Sequence, residues 1–225
     1  MSLRAVVFDF DGVIADSEPL HLRAFQDVLR EDGIGLTTED YYARYLGFDD
    51  EGVFRAVGDA NRRVWGSDRI DALVVRKARR MEALMENVSV LFPGAADAIR
   101  RIAAAVPVAI ASGALTAEIR RILDREQLSS AFTAIVAAED APSKPAPDPY
   151  LQAVAKIAAA GHGPLAPGDC AAIEDSVWGI QSARAAGLRV VGVTTTYEAS
   201  HLVDADLIVP SLHDLTLEAL ETCFR

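Results

Sequence analysis

Short apolar runs that do not alternate with polar residues recur along this chain, and they constrain its fold more than any other feature. Such runs are typical of strands buried on both faces of a parallel sheet. Segments with helical periodicity separate most of them, so the pattern predicts βαβ units and an α/β fold. The predicted strands cover residues 5–8, 106–111, 133–138, 170–173, 189–194 and 206–210, and the predicted helices between them cover 94–105, 116–126, 148–161 and 177–187.

One long helical stretch interrupts the alternation. Residues 16–88 carry helical periodicity with no strand signal, and they follow directly after the first predicted strand. The stretch is long enough to form a small domain. We therefore predict a Rossmann-like α/β core domain built from residues 1–15 and 89–225, with an inserted all-helical cap domain at 16–88.

Composition limits the partners of this chain. Its net charge of −11 argues against nucleic acid or an anionic membrane surface as a partner. No run of 18 apolar residues is present, and the apolar run at the N-terminus is too short for a signal peptide. Two cysteines without metal or redox spacing fit a reducing compartment. We predict a cytoplasmic protein with no membrane span, and a monomer.

Polar residues follow the predicted strands. Asp9 and Asp11 come after the first strand, two positions apart, so that in a strand their side chains would point the same way. Parallel α/β sheets bind ligands outside the carboxyl ends of their strands. Further polar clusters follow the later strands, and all of them should converge on that edge: residues 111–114, 139–149, 174–176 and 194–196.

The residue types in these clusters suit phosphate chemistry. Asp9, Asp11, Glu174 and Asp175 would repel one another strongly, and a hard divalent cation such as Mg²⁺ would relieve that repulsion. Lys144 adds a positive charge. Ser112, with the amides of Gly113 and Ala114 at a helix start, offers donors to an anion. Carboxylates, Mg²⁺, a lysine and amide donors together indicate phosphoryl transfer.

Four motifs in chain order resemble those of the haloacid dehalogenase-like superfamily. They are "DFDGVIADSEPLH" (9–21), "ASG" (111–113), "SKPAPDPY" (143–150) and "IEDSVWGI" (173–180). The resemblance spans nearly the whole chain, and the inserted block resembles the helical cap of the β-phosphoglucomutase and phosphoglycolate phosphatase-like branch. It implies an enzyme that acts on a small phosphorylated metabolite.

The resemblance also implies individual roles. Asp9 corresponds to the nucleophile that forms an aspartyl-phosphate, and Asp11 to the general acid and base. Ser112 and Lys144 correspond to phosphate clamps, and Lys144 also neutralises Asp9. The implied Mg²⁺ ligands are Asp9, the main-chain carbonyl of Asp11, Asp175 and, from the same motif, Glu174. Gly113, His21 and Lys77 are candidate substrate contacts.

Structural explanations compete with each of these roles. An Asp-Gly pair between apolar runs is also a hairpin signal, and Lys144, Ser112, Glu174 and Asp175 could be ordinary loop or capping residues. His21 and Lys77 could be packed or solvated helix residues. The presence of all four motifs in order favours the functional interpretation.

Three functions remain open at this stage. The first is a Mg²⁺-dependent phosphatase for a small monoester, a reaction for which Asp11 supplies the proton donor that the haloalkanoate dehalogenases usually lack. The second is a β-phosphoglucomutase-type mutase, which must hold two phosphates. Two departures from the mutase pattern argue against it: Asp50 stands near the place of a cap arginine, and Leu115 and Thr116 stand where the mutases have a lysine and an asparagine that hold the distal phosphate. The third is a phosphate- or cation-binding protein without turnover.

Overall fold

The computed structural model describes residues 2–46, 48–86 and 88–225. The chain divides into two compact units. The core unit comprises the residues up to Asp16 together with Val90–Arg225, and the helical unit comprises Ser17–Ser89. Each unit has its own apolar core, and each is described separately below.

A six-stranded sheet forms the centre of the described core unit. All of its neighbouring strands pair in parallel, in the order β3-β2-β1-β4-β5-β6. Helices connect the strands, so the predicted fold class is confirmed. The strands are β1 (Ala5–Phe8), β2 (Val108–Ala111), β3 (Phe132–Val136), β4 (Cys170–Glu174), β5 (Arg189–Val193) and β6 (Leu207–Val209).

The buried strands follow the apolar runs closely. Every residue of β1, β2 and β4 is buried, which explains why these strands lack polar alternation. The strand β2 nevertheless begins later than predicted, because the amide of Val106 completes the preceding helix by donating to Ile102. The strand β3 ends earlier than predicted, because the amide of Ala137 turns to the side chain of Asp140.

Helices pack on the sheet of the core unit. An apolar cluster joins α7 and α8 to the sheet through residues such as Val7, Tyr150, Ala172 and Ile180. The helix predicted over 148–161 is regular only to Ile157 and ends in a wider turn that includes Gly161, at φ +101°. The helices are α5 (Ala95–Ala103), α6 (Thr116–Arg125), α7 (Asp148–Ile157), α8 (Val177–Ala185) and α9 (Leu217–Thr222).

The helical unit is held together by aromatic and aliphatic side chains. Phe25 packs edge-on against Phe54, with ring centroids 5.2 Å apart, and Leu73 is fully buried nearby in the same cluster. The side chain of Thr37 caps the start of α2 by accepting from the amide of Asp40. Among the described helices, none combines the length and apolarity needed to cross a membrane. The helices of this unit are α1 (Glu18–Glu31), α2 (Thr38–Arg44), α3 (Asp50–Ala60) and α4 (Ser67–Met85).

Candidate active site

The central strand β1 places Asp9 at the carboxyl edge of the sheet. Phe8 pairs with Ile110 of β2 on one side and with Ile173 of β4 on the other. The next residue along, Asp9, donates its amide to the carbonyl of Ile173 at 2.9 Å. Asp9 is therefore level with the last residue of β4, Glu174, and the strand on its other side, β2, is followed directly by Ser112.

Lys144 joins two of these carboxylates. Its Nζ lies 2.6 Å from Oδ1 of Asp9 and 2.6 Å from Oε1 of Glu174. Burial alone would lower the pKa of Lys144, but the carboxylates of Asp9 and Glu174 raise it above its usual value. The lysine thus stays charged, and it fixes the orientation of Asp9 from a loop that precedes α7.

Asp9, Glu174 and Asp175 form a buried acidic cluster. Each offers a carboxylate oxygen, and these oxygens lie within 4.8 Å of one another. Burial raises the pKa of Asp9 well above its ordinary value, and Glu174 and Asp175 add to the rise while Lys144 opposes it. Burial and the charge of Glu174 likewise raise the pKa of Asp175 to about 6. Without a cation, the cluster therefore holds protons near neutral pH.

The cluster fits a hard divalent cation. Three carboxylates face one ammonium group, which leaves a formal excess of two negative charges in a buried place. Oxygen donors on few residues are the set that Mg²⁺ uses when water and substrate complete its coordination. The site therefore carries the donors and the charge that the sequence predicts for a cation.

The loop after β2 presents Ser112 and Gly113. Ser112 is 5% exposed, and its Oγ accepts from the amide of Ala114 at 3.0 Å, so that its own hydroxyl hydrogen is available to an anion. Fewer amides at the start of α6 are available to an anion than predicted, because the first of them, that of Thr116, donates to the Glu139 carboxylate. A Cβ at Gly113 would meet nothing within 4 Å, which leaves room for a ligand at this point.

Asp11 lies in a turn rather than in the strand. The strand ends at Phe8, so the two-residue period does not extend to Asp11, which is exposed. The turn closes through hydrogen bonds from the amides of Ile14 and Ala15 to the carbonyl of Phe10. It contains Gly12 at φ +78°, where a Cβ would lie 2.0 Å from Oδ2 of Asp175. Glycine is therefore required for both the backbone conformation and the close approach of Asp175.

Threonines after β5 support this turn, and sequence analysis gave them no role. The hydroxyl of Thr195 donates to the carbonyl of Gly12, and the side chain of Thr196 hydrogen-bonds Asp175. The sequence signal that could have identified them is their position directly after a predicted strand, at the same edge of the sheet as the other polar clusters. A second unassigned residue, Tyr150, is fully buried and donates its hydroxyl to Oε1 of Glu174 at 2.7 Å.

His21 and Lys77, the two predicted contacts from the inserted segment, contact each other within the helical unit. Lys77 Nζ lies 2.8 Å from Nδ1 of His21 and 2.6 Å from Oδ1 of Asp50, and it also lies over the ring of Phe25. The Lys77 side chain is 3% exposed. Its charge is thus largely compensated by Asp50 within this unit, and its contact with a substrate stays a prediction.

Comparison with known proteins identifies the family. The profile of the haloacid dehalogenase-like hydrolases matches residues 6–193, which run from the second residue of β1 to the end of β5 and include the inserted segment. The chain belongs to the haloacid dehalogenase-like hydrolases. The resemblance expected from the four motifs is thereby confirmed.

Members of this family with full-length similarity include both phosphatases and mutases. The chain is 32% identical to hexitol phosphatase B of Escherichia coli over 96% of each chain. It is 31% identical to the β-phosphoglucomutase of Bacillus subtilis over 97% of this chain and 94% of that protein. The crystal structure of a β-phosphoglucomutase from Clostridium difficile superimposes with a TM-score of 0.76, covering 99% of this chain and 97% of that one, at 21% identity, and so shows the fold.

Proposed function

We propose that this hydrolase is a Mg²⁺-dependent phosphatase that cleaves a small phosphate monoester, a sugar phosphate or a similar compound, through an aspartyl-phosphate on Asp9. The observation that carries the proposal is the position of Asp9: it lies at the carboxyl end of the central strand, 2.6 Å from the ammonium group of Lys144 and within the acidic cluster. A nucleophile, a fixed cation and a divalent cation site next to one another are the parts that phosphoryl transfer requires.

The residues of the core unit would then act in sequence. The Asp9 carboxylate attacks phosphorus, so that an O–P bond forms on Asp9 as the bond to the leaving oxygen breaks. Asp11 gives its proton to that oxygen and then takes a proton from the water that releases phosphate from Asp9. Lys144, the Ser112 hydroxyl and the Gly113 amide hold the phosphate oxygens and stabilise the negative charge that develops on them.

Asp9, Asp175 and the carbonyl of Asp11 would hold the Mg²⁺, with Glu174 beside them in the same cluster. The cation, when bound, supplies positive charge that offsets the phosphate and keeps the Asp9 carboxylate deprotonated. The raised pKa of Asp9 supports this assignment, since a protonated Asp9 would be a poor nucleophile.

The relatives indicate the substrate class without fixing the substrate. They include a hexitol phosphatase and a β-phosphoglucomutase, whose names both refer to sugar or polyol phosphates. Mutase activity is the second candidate, and the 31% identity to the Bacillus subtilis enzyme favours it. The compensation of Lys77 by Asp50 favours the phosphatase, because it leaves less net charge for a second phosphate. A monomeric state and a cytoplasmic location stay predictions.

A phosphate-release assay over a panel of sugar, polyol and other small phosphate monoesters tests the proposal. We expect Mg²⁺-dependent release from at least one ester, loss of that release in Asp9→Asn, and loss in excess chelator. Asp169→Asn is the matched control, because Asp169 precedes β4 and lies at the opposite edge of the sheet. Interconversion of glucose 1-phosphate and glucose 6-phosphate without net release would instead establish the mutase, and full turnover by Asp9→Asn would exclude the proposed nucleophile.

A further inference from the structure

The carboxylate of Glu174 is surrounded by protein donors. Oε1 accepts from Lys144 Nζ at 2.6 Å and from the Tyr150 hydroxyl at 2.7 Å. Oε2 accepts from the amides of Asp175 and Ser176 at 3.2 and 3.3 Å and from the Ser176 hydroxyl at 3.0 Å. The residue is 0% exposed. A carboxylate has about four lone-pair directions, and five donors already share them.

The space around this carboxylate is equally full. A Cβ at Gly179 would lie 1.8 Å from Oε1 and 2.0 Å from Oε2 of Glu174. Gly179 has no left-handed backbone conformation, so close packing is what excludes a side chain there. Although the Glu174 oxygens lie within reach of those of Asp9 and Asp175, a cation could bind Glu174 directly only by displacing one of these donors.

Tyr150 occupies the side of Glu174 that also holds Lys144. Its ring lies 5.1 Å from Lys144 Nζ, and its hydroxyl and that ammonium group share the oxygen Oε1. Burial and the charge of Glu174 raise the pKa of Tyr150 well above its ordinary value, so the hydroxyl remains a donor. The side chain is 0% exposed, and the helix that carries it, α7, begins four residues after Lys144.

We propose that Tyr150 is a positioning residue of this site. Through the shared oxygen Oε1 of Glu174, its hydroxyl fixes the Lys144 ammonium group beside Asp9, and Glu174 binds protein donors rather than the cation. Without the hydroxyl, Oε1 would have Lys144 as its remaining side-chain donor and would draw that ammonium group toward itself, away from Asp9 and the phosphate. The inference rests on the proposed function, since it concerns how the phosphate is held.

Calorimetry on the full chain tests this role with inorganic phosphate and Mg²⁺ as probes. We expect Tyr150→Phe to weaken phosphate binding at saturating Mg²⁺ by about tenfold, in the range of supporting residues around metal sites. Binding of Mg²⁺ without phosphate should change by less than about twofold, because the hydroxyl does not contact the Asp175 side of Glu174. Tyr197→Phe, which removes the hydroxyl of an exposed tyrosine in the same unit, should leave both constants unchanged.

A double-mutant cycle tests whether Tyr150 acts through Glu174. In a Glu174→Ala background, Tyr150→Phe should reduce phosphate affinity by less than about twofold. A full additional loss in that background would overturn the inference, as would a Tyr150→Phe variant that weakens Mg²⁺ tenfold and leaves phosphate binding intact. The single variant keeps the buried ring, so its two constants decide the question even if the double variant fails to fold.

The two proposals fail in distinguishable ways. If the unmodified chain binds no phosphate and releases none from any ester, the proposed function is wrong, and this inference falls with it. If the unmodified chain binds phosphate and Tyr150→Phe binds it equally well, the inference about Tyr150 is wrong and the proposed function stands.

Discussion

Removal of divalent cations should make the stability of this protein depend on pH through Asp175. Its pKa is raised from an ordinary 3.8 to about 6 in the folded state. The folded state then binds a proton more tightly than the unfolded state, so this contribution to stability is complete below about pH 4 and is lost as the pH rises through about 6. A rise of that size corresponds to about 3 kcal/mol, and the side chain is buried enough for little of it to be screened by solvent.

Urea unfolding of chelator-treated protein between pH 4.5 and pH 7.5 measures the effect, with ~0.5 steps in pH to resolve the slope. Asp175→Asn is the matched variant, because it keeps the size of the side chain and does not titrate. The free energy of unfolding of the unmodified chain, taken relative to this variant, should fall by about 2 kcal/mol over that range, because part of the full ~3 kcal/mol is already lost at pH 4.5. Added Mg²⁺ should restore the stability of the unmodified chain above pH 6 and have little effect near pH 4.5, where protons compete for the same oxygens.

A relative stability that is constant, or that increases with pH in the absence of Mg²⁺, would mean that burial does not hold a proton on this cluster. The negative charges of the cluster would then already be compensated by the protein, and the repulsion from which the cation site is argued would be absent.

Three further predictions concern the supports of the site. Gly12→Ala should lower kcat at least tenfold, because the added Cβ would collide with the Asp175 carboxylate. Gly35→Ala is the control and should have no effect, because its Cβ would meet nothing within 4 Å. Equal kcat values for the two variants would contradict this geometry. Thr195→Val, which removes the hydrogen bond to the Gly12 carbonyl, should lower kcat several-fold and the unfolding free energy by about 1 kcal/mol, and unchanged kinetics would exclude a supporting role. Ser176→Ala should lower the unfolding free energy in urea by about 1 kcal/mol, because Ser176 caps α8, and a loss below about 0.3 kcal/mol would contradict this.

The sheet was the most predictable part of this protein. Strands buried on both faces need unbroken apolar runs, and β1 at Ala5–Phe8 coincides with its predicted range. Strand ends were less predictable, because they depend on which backbone groups find other partners. The amide of Val106 donates to the preceding helix, and the amide of Ala137 donates to the side chain of Asp140. Neither hydrogen bond can be inferred from the hydrophobicity of the neighbouring residues. The order of the strands likewise depends on long-range pairing.

The residues of the candidate site likewise differ in how far the sequence could predict them. Charged residues in the segments that follow strands, such as Asp9, Lys144 and Asp175, could be nominated from sequence, because their type and position both point to chemistry. Tyr150 could not, since an aromatic residue in the first turn of a helix normally predicts core packing. Glu174 was nominated for its charge, but charge alone does not reveal that a carboxylate is already enclosed by five donors.

The points where the chain leaves and re-enters the core unit are tied to each other by the core unit itself. The amide of Asp16 donates to the carbonyl of Val90 at 2.7 Å, and the amide of Phe92 donates to the carbonyl of Ile14 at 3.0 Å. Ala15 and Leu91 form an antiparallel bridge between these bonds. The core unit therefore holds the two ends of the inserted segment together, as in a closed loop. The conformational entropy lost on closing such a loop grows only slowly with its length. Segments of quite different length and sequence could be exchanged at this junction, so that the inserted segment, with its candidate substrate contacts His21 and Lys77, can diverge while the carboxyl edge of the sheet stays as it is.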